Sequence, residues 1–235
     1  VFGFLGIAQF SMIVTGQVQM FTYIEFMRFS DIEKTFVHSG GMLGFMTGSL
    51  LLGSLVKRLD KRKTGYLAMA TGSGACLALF AIFSGGLMSP ESVLLFEIGD
   101  SAFHLSTVVF GVLQIIWWGS CGVLVPLAVS MIADLATIKK LKTGEVTEGR
   151  YGAGFSFFMK AASEFAVLVT GYVLKGVGYI SGAETQAADT IEKLAVMTFV
   201  IGPIFIFISF LILRKYPITH QVMNQLRDQY GQEET

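Results

Sequence analysis

The run KLAVMTFVIGPIFIFISFLIL, residues 193–213, is apolar throughout except for Lys193 at its first position, Thr198 and Ser209. About 20 predominantly apolar residues in a helix cross the hydrocarbon core of a bilayer. A helix is also the form in which a single segment satisfies its own backbone hydrogen bonds in lipid. The run therefore reads as a membrane span. Five more stretches upstream qualify by the same test, at about 151–177, 104–133, 64–87, 36–56 and 2–26. A soluble helical protein buries a few such segments, not six in 235 residues. Composition agrees, with 53% hydrophobic and 14% charged residues and a mean hydropathy of +0.64, against roughly 25% charged in soluble domains. The 21 Phe and 27 Gly suit helices that meet lipid with bulky side chains and one another through small ones. The expected fold class is an all-α membrane protein: one six-helix bundle over 1–213 and a polar tail over 214–235.

Charge placement sets an expected orientation. Lys57-Arg58-Leu59-Asp60-Lys61-Arg62-Lys63 follows the second span. Lys139, Lys140, Lys142 and Arg150 follow the fourth, and Arg214, Lys215 and Arg227 the sixth. The alternate loops hold Asp31 and Glu33, then Glu91, Glu97 and Asp100, then Glu184 and Asp189. Basic loops stay in the cytoplasm, so both ends of this segment are expected there, in a multi-pass protein of the plasma membrane. Net charge is zero, which gives no case for nucleic acid. Cys76 and Cys121 lie in apolar runs and read as small buried residues rather than a bridge. No signal peptide is visible, and the opening Val1 leads us to expect a fragment. Ser89-Pro90-Glu91 has the residue order of a helix start within a short outer hairpin. Val222, Leu226 and Tyr230 recur at fourfold spacing, as on an amphipathic helix.

Charges inside spans are the strongest functional lead, because each costs about 2.5–3.5 kcal/mol on insertion scales. Lys160 and Glu164 lie in the fifth span at i, i+4, able to pair, with Ser156 and Ser163 on the same face. That stripe reads as a cavity wall or as a structural ion pair locking two helices. On the first span Ser11, Thr15, Gln19, Thr22 and Glu25 stay within a sector of about 80°. They read as groups for a neutral polar ligand such as a sugar, or as interhelical hydrogen bonds. Gly40, Gly44 and Gly48 form a packing seam. Pro126 and Pro203 are expected to kink spans four and six, and Trp117 and Trp118 read as packing or lipid-facing residues. The segment 134–150 interleaves Asp134, Lys142, Glu148 and Arg150, as ion pairs of a cytoplasmic gate or as a solvated connector. His38, His104 and His220 are not at metal-ligand spacing. Nucleophile-turn and phosphate-loop motifs are absent, so neither an enzyme nor a cofactor is expected.

Taken in order, Met131-Ile132-Ala133-Asp134, Lys142-Thr143-Gly144, Thr147-Glu148-Gly149 and Phe158-Met159-Lys160 resemble the glycoside–pentoside–hexuronide:cation symporters. These are the melibiose permease-like members of the major facilitator superfamily. Gly178-Tyr179 with Gln186, and the closing Arg214-Lys215-Tyr216-Pro217-Ile218-Thr219, are similar to that family's last loop and exit. The specific part covers 131–182. Departures from the pattern are Val146 for a loop arginine, Ala136-Thr137-Ile138-Lys139 for an Asp-Tyr-Gly stretch, Val125 for a sugar-contacting tryptophan, and the added Glu164.

The resemblance implies twelve helices in two bundles, of which this chain is the C-terminal one, partnered by an N-terminal six-helix bundle. It implies symport of a sugar or other small polar solute with a cation, proton or sodium, and makes Lys160 the cavity lysine. The alternative is a non-transporting six-helix subunit or half-size partner protein.

Overall fold

The computed structural model describes residues 1–98, 101–218 and 220–230. Asp100 of the acidic set, Thr219 of the closing motif and tail residues 231–235 lie outside the described residues.

Six helices are long and apolar enough to cross a membrane. They are α1 (Phe2–Phe21), α2 (Asp31–Leu59), α3 (Lys61–Leu79), α4 (Leu105–Thr143), α5 (Glu148–Gly176) and α6 (Ala188–Leu213), with a short α7 (His220–Tyr230) after them. α1 and α3 each finish in a π-helical turn, Thr22–Phe26 and Phe80–Ser84. Several helices overrun the expected spans, because hydropathy senses the hydrocarbon layer and capping decides where a helix ends. α2 starts at Asp31 because Ser30 and Glu33 form a reciprocal capping box, which satisfies two of the free amides at a helix start. α4 runs ten residues past the expected 133 and stops at Gly144, whose φ of 67° ends the helix while its amide bonds to the Lys140 carbonyl (2.8 Å). A left-handed stop of this kind favours glycine.

The Ser89-Pro90-Glu91 expectation is corrected, since no helix starts there. The hairpin expected in this segment is present as two antiparallel strands, β1 (Leu94–Ile98) and β2 (Ser101–His104), with Phe96 stacked on Phe103 at 5.0 Å. The stretch leading into β1 is tied to the first turn of α4 by Ser92 and by the Pro90 and Val93 carbonyls. Ser106 donates its amide to Ser92 Oγ (2.8 Å) and its hydroxyl to the Pro90 carbonyl, and the Leu105 amide bonds the Val93 carbonyl (2.9 Å).

α1 and α4 form the centre, and α2, α3, α5 and α6 pack around them. Trp117 of α4 is completely buried, in a core with Phe4, Leu5, Leu127, Met131 and Leu213. At the other end Tyr23, Phe29, Phe83, Phe110 and Phe199 make a second core of tilted and edge-on rings. α2 meets α4 through the glycine seam: a Cβ at Gly44 or Gly48 would collide with the carbonyls of Ile115 or Gly119. Small residues let two membrane helices approach until backbones touch. Pro126 and Pro203 lie inside continuous helices. Cys76 and Cys121 are free buried thiols. In the described part of the tail Tyr216, Ile218 and Met223 join the main core, and α7 packs on α4.

Candidate transport face

α5 is covered on one side, by α1, and by little else. Its stripe is accordingly open. Ser156, Lys160 and Glu164 are exposed, and Ser163 is half-buried with its hydroxyl donating to the Met159 carbonyl (2.9 Å). Lys160 is twelve residues from the start of α5 and Glu164 twelve from its end, about 18 Å from either terminus at 1.5 Å per residue. Both charges therefore sit in the middle of a bilayer-length helix. The pairing their spacing allows is not made: among the described residues five ion pairs form, and neither side chain is in any of them. Nothing opposite them holds the two long chains together, and a flexible pair loses rotamer freedom on closing. The adjoining lipid-type surface of α5 is bulky and apolar, with Phe157, Phe165, Leu168 and Tyr172 exposed.

The α1 stripe lies elsewhere. Ser11, Thr15, Gln19 and Thr22 are buried in the seam between α1 and α6, not on an open face. Ser11 donates to the Gly202 carbonyl (3.1 Å), Thr22 shares a 2.6 Å hydrogen bond with Thr198, and Gln19 bonds Tyr23. Gly202 is needed there, since a Cβ would meet Trp117 and the Thr15 hydroxyl. Ser11 and Thr22 thus bond across to α6, while Gln19 bonds within its own helical run. Thr15 Oγ1 and Gln19 Oε1 are buried without partners. Glu25, the last member, is half-buried beside Tyr179 after α5. Burial and that carboxylate together hold the phenol above its ordinary range.

At the basic end Asp134, Lys142, Glu148 and Arg150 separate into two kinds. Asp134 is tied inside the bundle: Lys61 reaches it at 2.6 Å and the Tyr216 hydroxyl donates to it at 2.9 Å, while Lys61 also bonds the Ser130 carbonyl (3.1 Å). One carboxylate so joins α3, α4 and the exit from α6. Tyr216 keeps its proton well above the ordinary phenol range, first through burial and then through the Asp134 charge and hydrogen bond. Lys142, Glu148 and Arg150 are exposed and make no ion pair among the described residues. The local pair is Lys139–Glu145 (2.9 Å), and Lys139 holds the Glu145 carboxyl below its usual range, with a smaller push from Arg150.

The sequence reading missed Lys61 and Tyr216 because basic-loop counting treats Lys61 as one of five equivalent charges, and a single tyrosine has no signature. It also missed buried Glu33, which accepts from Thr107 of α4 (2.5 Å) besides capping α2. Trp118 is half-buried between Gly16 of α1 and Gly41 of α2. The Gln186 side chain clasps Ile180 through both its amide and its carbonyl (3.0 and 2.8 Å), beside Gly178 with φ of 83°. These motif residues thus shape the α5–α6 turn.

Compared with known families, residues 1–220 match the family described as MFS/sugar transport protein. No curated protein matches the chain.

Proposed function

The chain belongs to the MFS/sugar transport family, and from that premise we propose that it is the C-terminal six-helix half of a cation-coupled symporter for a sugar, glycoside or related polar solute. It is assigned to the glycoside–pentoside–hexuronide:cation, melibiose permease-like branch. The observation that carries this reading is the exposure of Lys160 and Glu164 at the midpoint of α5. Ionised side chains at that depth are tolerated where they face protein or a water-filled cavity, not lipid. A second bundle placed against α5 supplies that cavity, and the N-terminal six helices are that bundle.

In the cavity the Lys160 ammonium donates to sugar hydroxyls, Glu164 accepts from them, and Ser156 does either. Substrate sites of secondary transporters sit near the midplane between repeats, the depth of this stripe. The coupling cation, a proton or sodium, adds charge that the Glu164 carboxylate offsets. Transport then follows from alternating exposure of the site, with solute and cation binding together shifting the balance between the two states. Behind the wall Ser11 and Thr22 keep α1 on α6, while Thr15 and Gln19 carry the unpartnered oxygens that a polar solute or cation reaching the seam would use. At the cytoplasmic end Lys142, Glu148 and Arg150 are available for ion pairs with the other bundle. Asp134 sets the position of the helix end that presents them. Both ends of this segment then lie on the cytoplasmic side of the plasma membrane.

Uptake of radiolabelled sugars by cells expressing the intact protein tests this. Lys160→Ala and Glu164→Ala should each lower accumulation at least tenfold at unchanged membrane abundance, consistent with loss of one charged hydrogen-bond partner. Undiminished transport in both variants would overturn the assigned roles. Transport with no dependence on a sodium or proton gradient would overturn coupling, and no uptake of any sugar would favour a non-transporting six-helix partner.

A further inference from the structure

The α2–α3 junction has a chemistry of its own, which the transport face does not use. Asp60 is the single residue between the two helices. Its φ is 71°, its carboxylate accepts from the Lys61 amide at 2.6 Å, and its own amide closes α2 on the Val56 carbonyl. Around it stand five basic side chains. Lys61 is committed to Asp134, while Lys57, Arg58, Arg62 and Lys63 are exposed and enter no ion pair among the described residues. Among the described residues, these four cations at one corner of the bundle have no ion-pair partner.

Directly along the helices from that corner runs a groove. Gly44 and Gly48 draw α2 onto α4, so α2 leans away from α3 and leaves a cleft of about 330 Å³ lined by Leu51, Leu55, Leu67, Ala68, Ile116 and Val123. The cleft is dry in character. Its hydroxyls are already used: Thr47 bonds the Leu43 carbonyl, Thr71 the Leu67 and Ala68 carbonyls and Ser120, and Ser120 the Ile116 carbonyl. A sugar would find no free hydroxyl donor there. Helical phase sets Arg58 one turn beyond Leu55 on the same face of α2, and Lys63 one turn before Leu67 on α3. The groove therefore opens at its basic end between two cations.

We propose that this corner is a binding site for an anionic phospholipid. One acyl chain occupies the α2–α3–α4 groove and the phosphate headgroup is held by Arg58 and Lys63, with Lys57 and Arg62 alongside. Basic pockets between membrane helices recognise anionic headgroups, each Lys or Arg adding to the attraction, and an arginine can engage phosphate through two parallel N–H donors. The apolar cleft and the unpaired charges are separate observations that meet at one place, and a two-part ligand fits both.

The intact protein, purified in a mild detergent, is titrated with phosphatidylglycerol and separately with phosphatidylcholine, and bound lipid is counted by native mass spectrometry. Phosphatidylglycerol should be retained in preference to phosphatidylcholine. Arg58→Gln with Lys63→Gln should raise its half-saturating concentration roughly thirtyfold and leave phosphatidylcholine unchanged. Leu67→Trp, which fills the groove and keeps every charge, should lower retention of both lipids, and it carries the test if the double variant does not accumulate. Inorganic phosphate should not compete. Equal retention of the two lipids, an unmoved titration in the charge variant, or displacement by inorganic phosphate would each overturn the proposal.

Discussion

Asp134 shows how one residue acquires a role from its surroundings. Its carboxylate is largely buried beside Lys61 and Tyr216, so each partner offsets the desolvation of the other. Removing one charge of such a pair leaves the remaining one stranded, which costs more than the pair itself is worth. Asp134→Asn should destabilise the purified protein by about 3 kcal/mol, read as a lowered melting temperature. Lys61→Met combined with Asp134→Leu should recover part of that loss. Tyr216→Phe should cost about 1.5 kcal/mol, the value of a hydrogen bond to a charged acceptor. Its pH dependence follows from the raised pKa of the folded phenol. The unfolded tyrosine releases its proton near 10.0 and the folded one only at higher pH, so the contribution is complete below pH 10.0 and declines as pH rises above it. Thermal melts from pH 8 upward should show that alkaline decline in the parent protein and a smaller one in Tyr216→Phe.

Among the elements, α2 tests how closely membrane helices can be forced together. Gly48 touches the Gly119 backbone, while Gly53, on the same helix, has nothing within 4 Å of where a Cβ would be. Gly48→Leu should displace α2 from α4, costing 3 kcal/mol or more by overpacking, and abolish the monodisperse peak in size-exclusion chromatography. Gly53→Ala should change stability by less than about 1 kcal/mol. The small-residue spacing that marks this seam was readable, as were all six spans, since both depend on local periodicity in an apolar solvent. Less of the helix ends was readable. The α2 start needs the Ser30–Glu33 reciprocity, the α4 extension runs beyond the hydrocarbon, and in Ser89-Pro90-Glu91 the Pro90 carbonyl is taken by Ser106 of α4 and the Glu91 carboxylate by Arg28. For the α1 stripe the sequence supplied the face but not the neighbour. Periodicity puts Ser11, Thr15, Gln19 and Thr22 together, and only packing reveals that α6 stands opposite them.

For the whole molecule, the telling property is uneven cover. α1 and α4 are enclosed, while α2 and α5 are exposed over most of their length. The polar face of α5 was legible because a charge in a span is conspicuous, whereas the Lys61–Asp134–Tyr216 junction joins residues 73 and 82 positions apart and could not be seen without the fold. If a second bundle covers α5, this chain expressed by itself should be degraded or elute as aggregate, and coexpression with the complementary six helices should restore a discrete peak. A discrete, stable peak from the chain alone would count against that arrangement. The two tryptophans offer a last consequence. Trp117 is sealed in the core, and its neighbour Trp118 rests on Gly16 and Gly41, where α1 and α2 converge on α4. Adjacent indoles, one locked and one at a joint, make an optical gauge within the chain. With Trp117→Phe to silence the fixed emitter, the remaining fluorescence should shift in wavelength as α1 and α2 separate, without any label being attached.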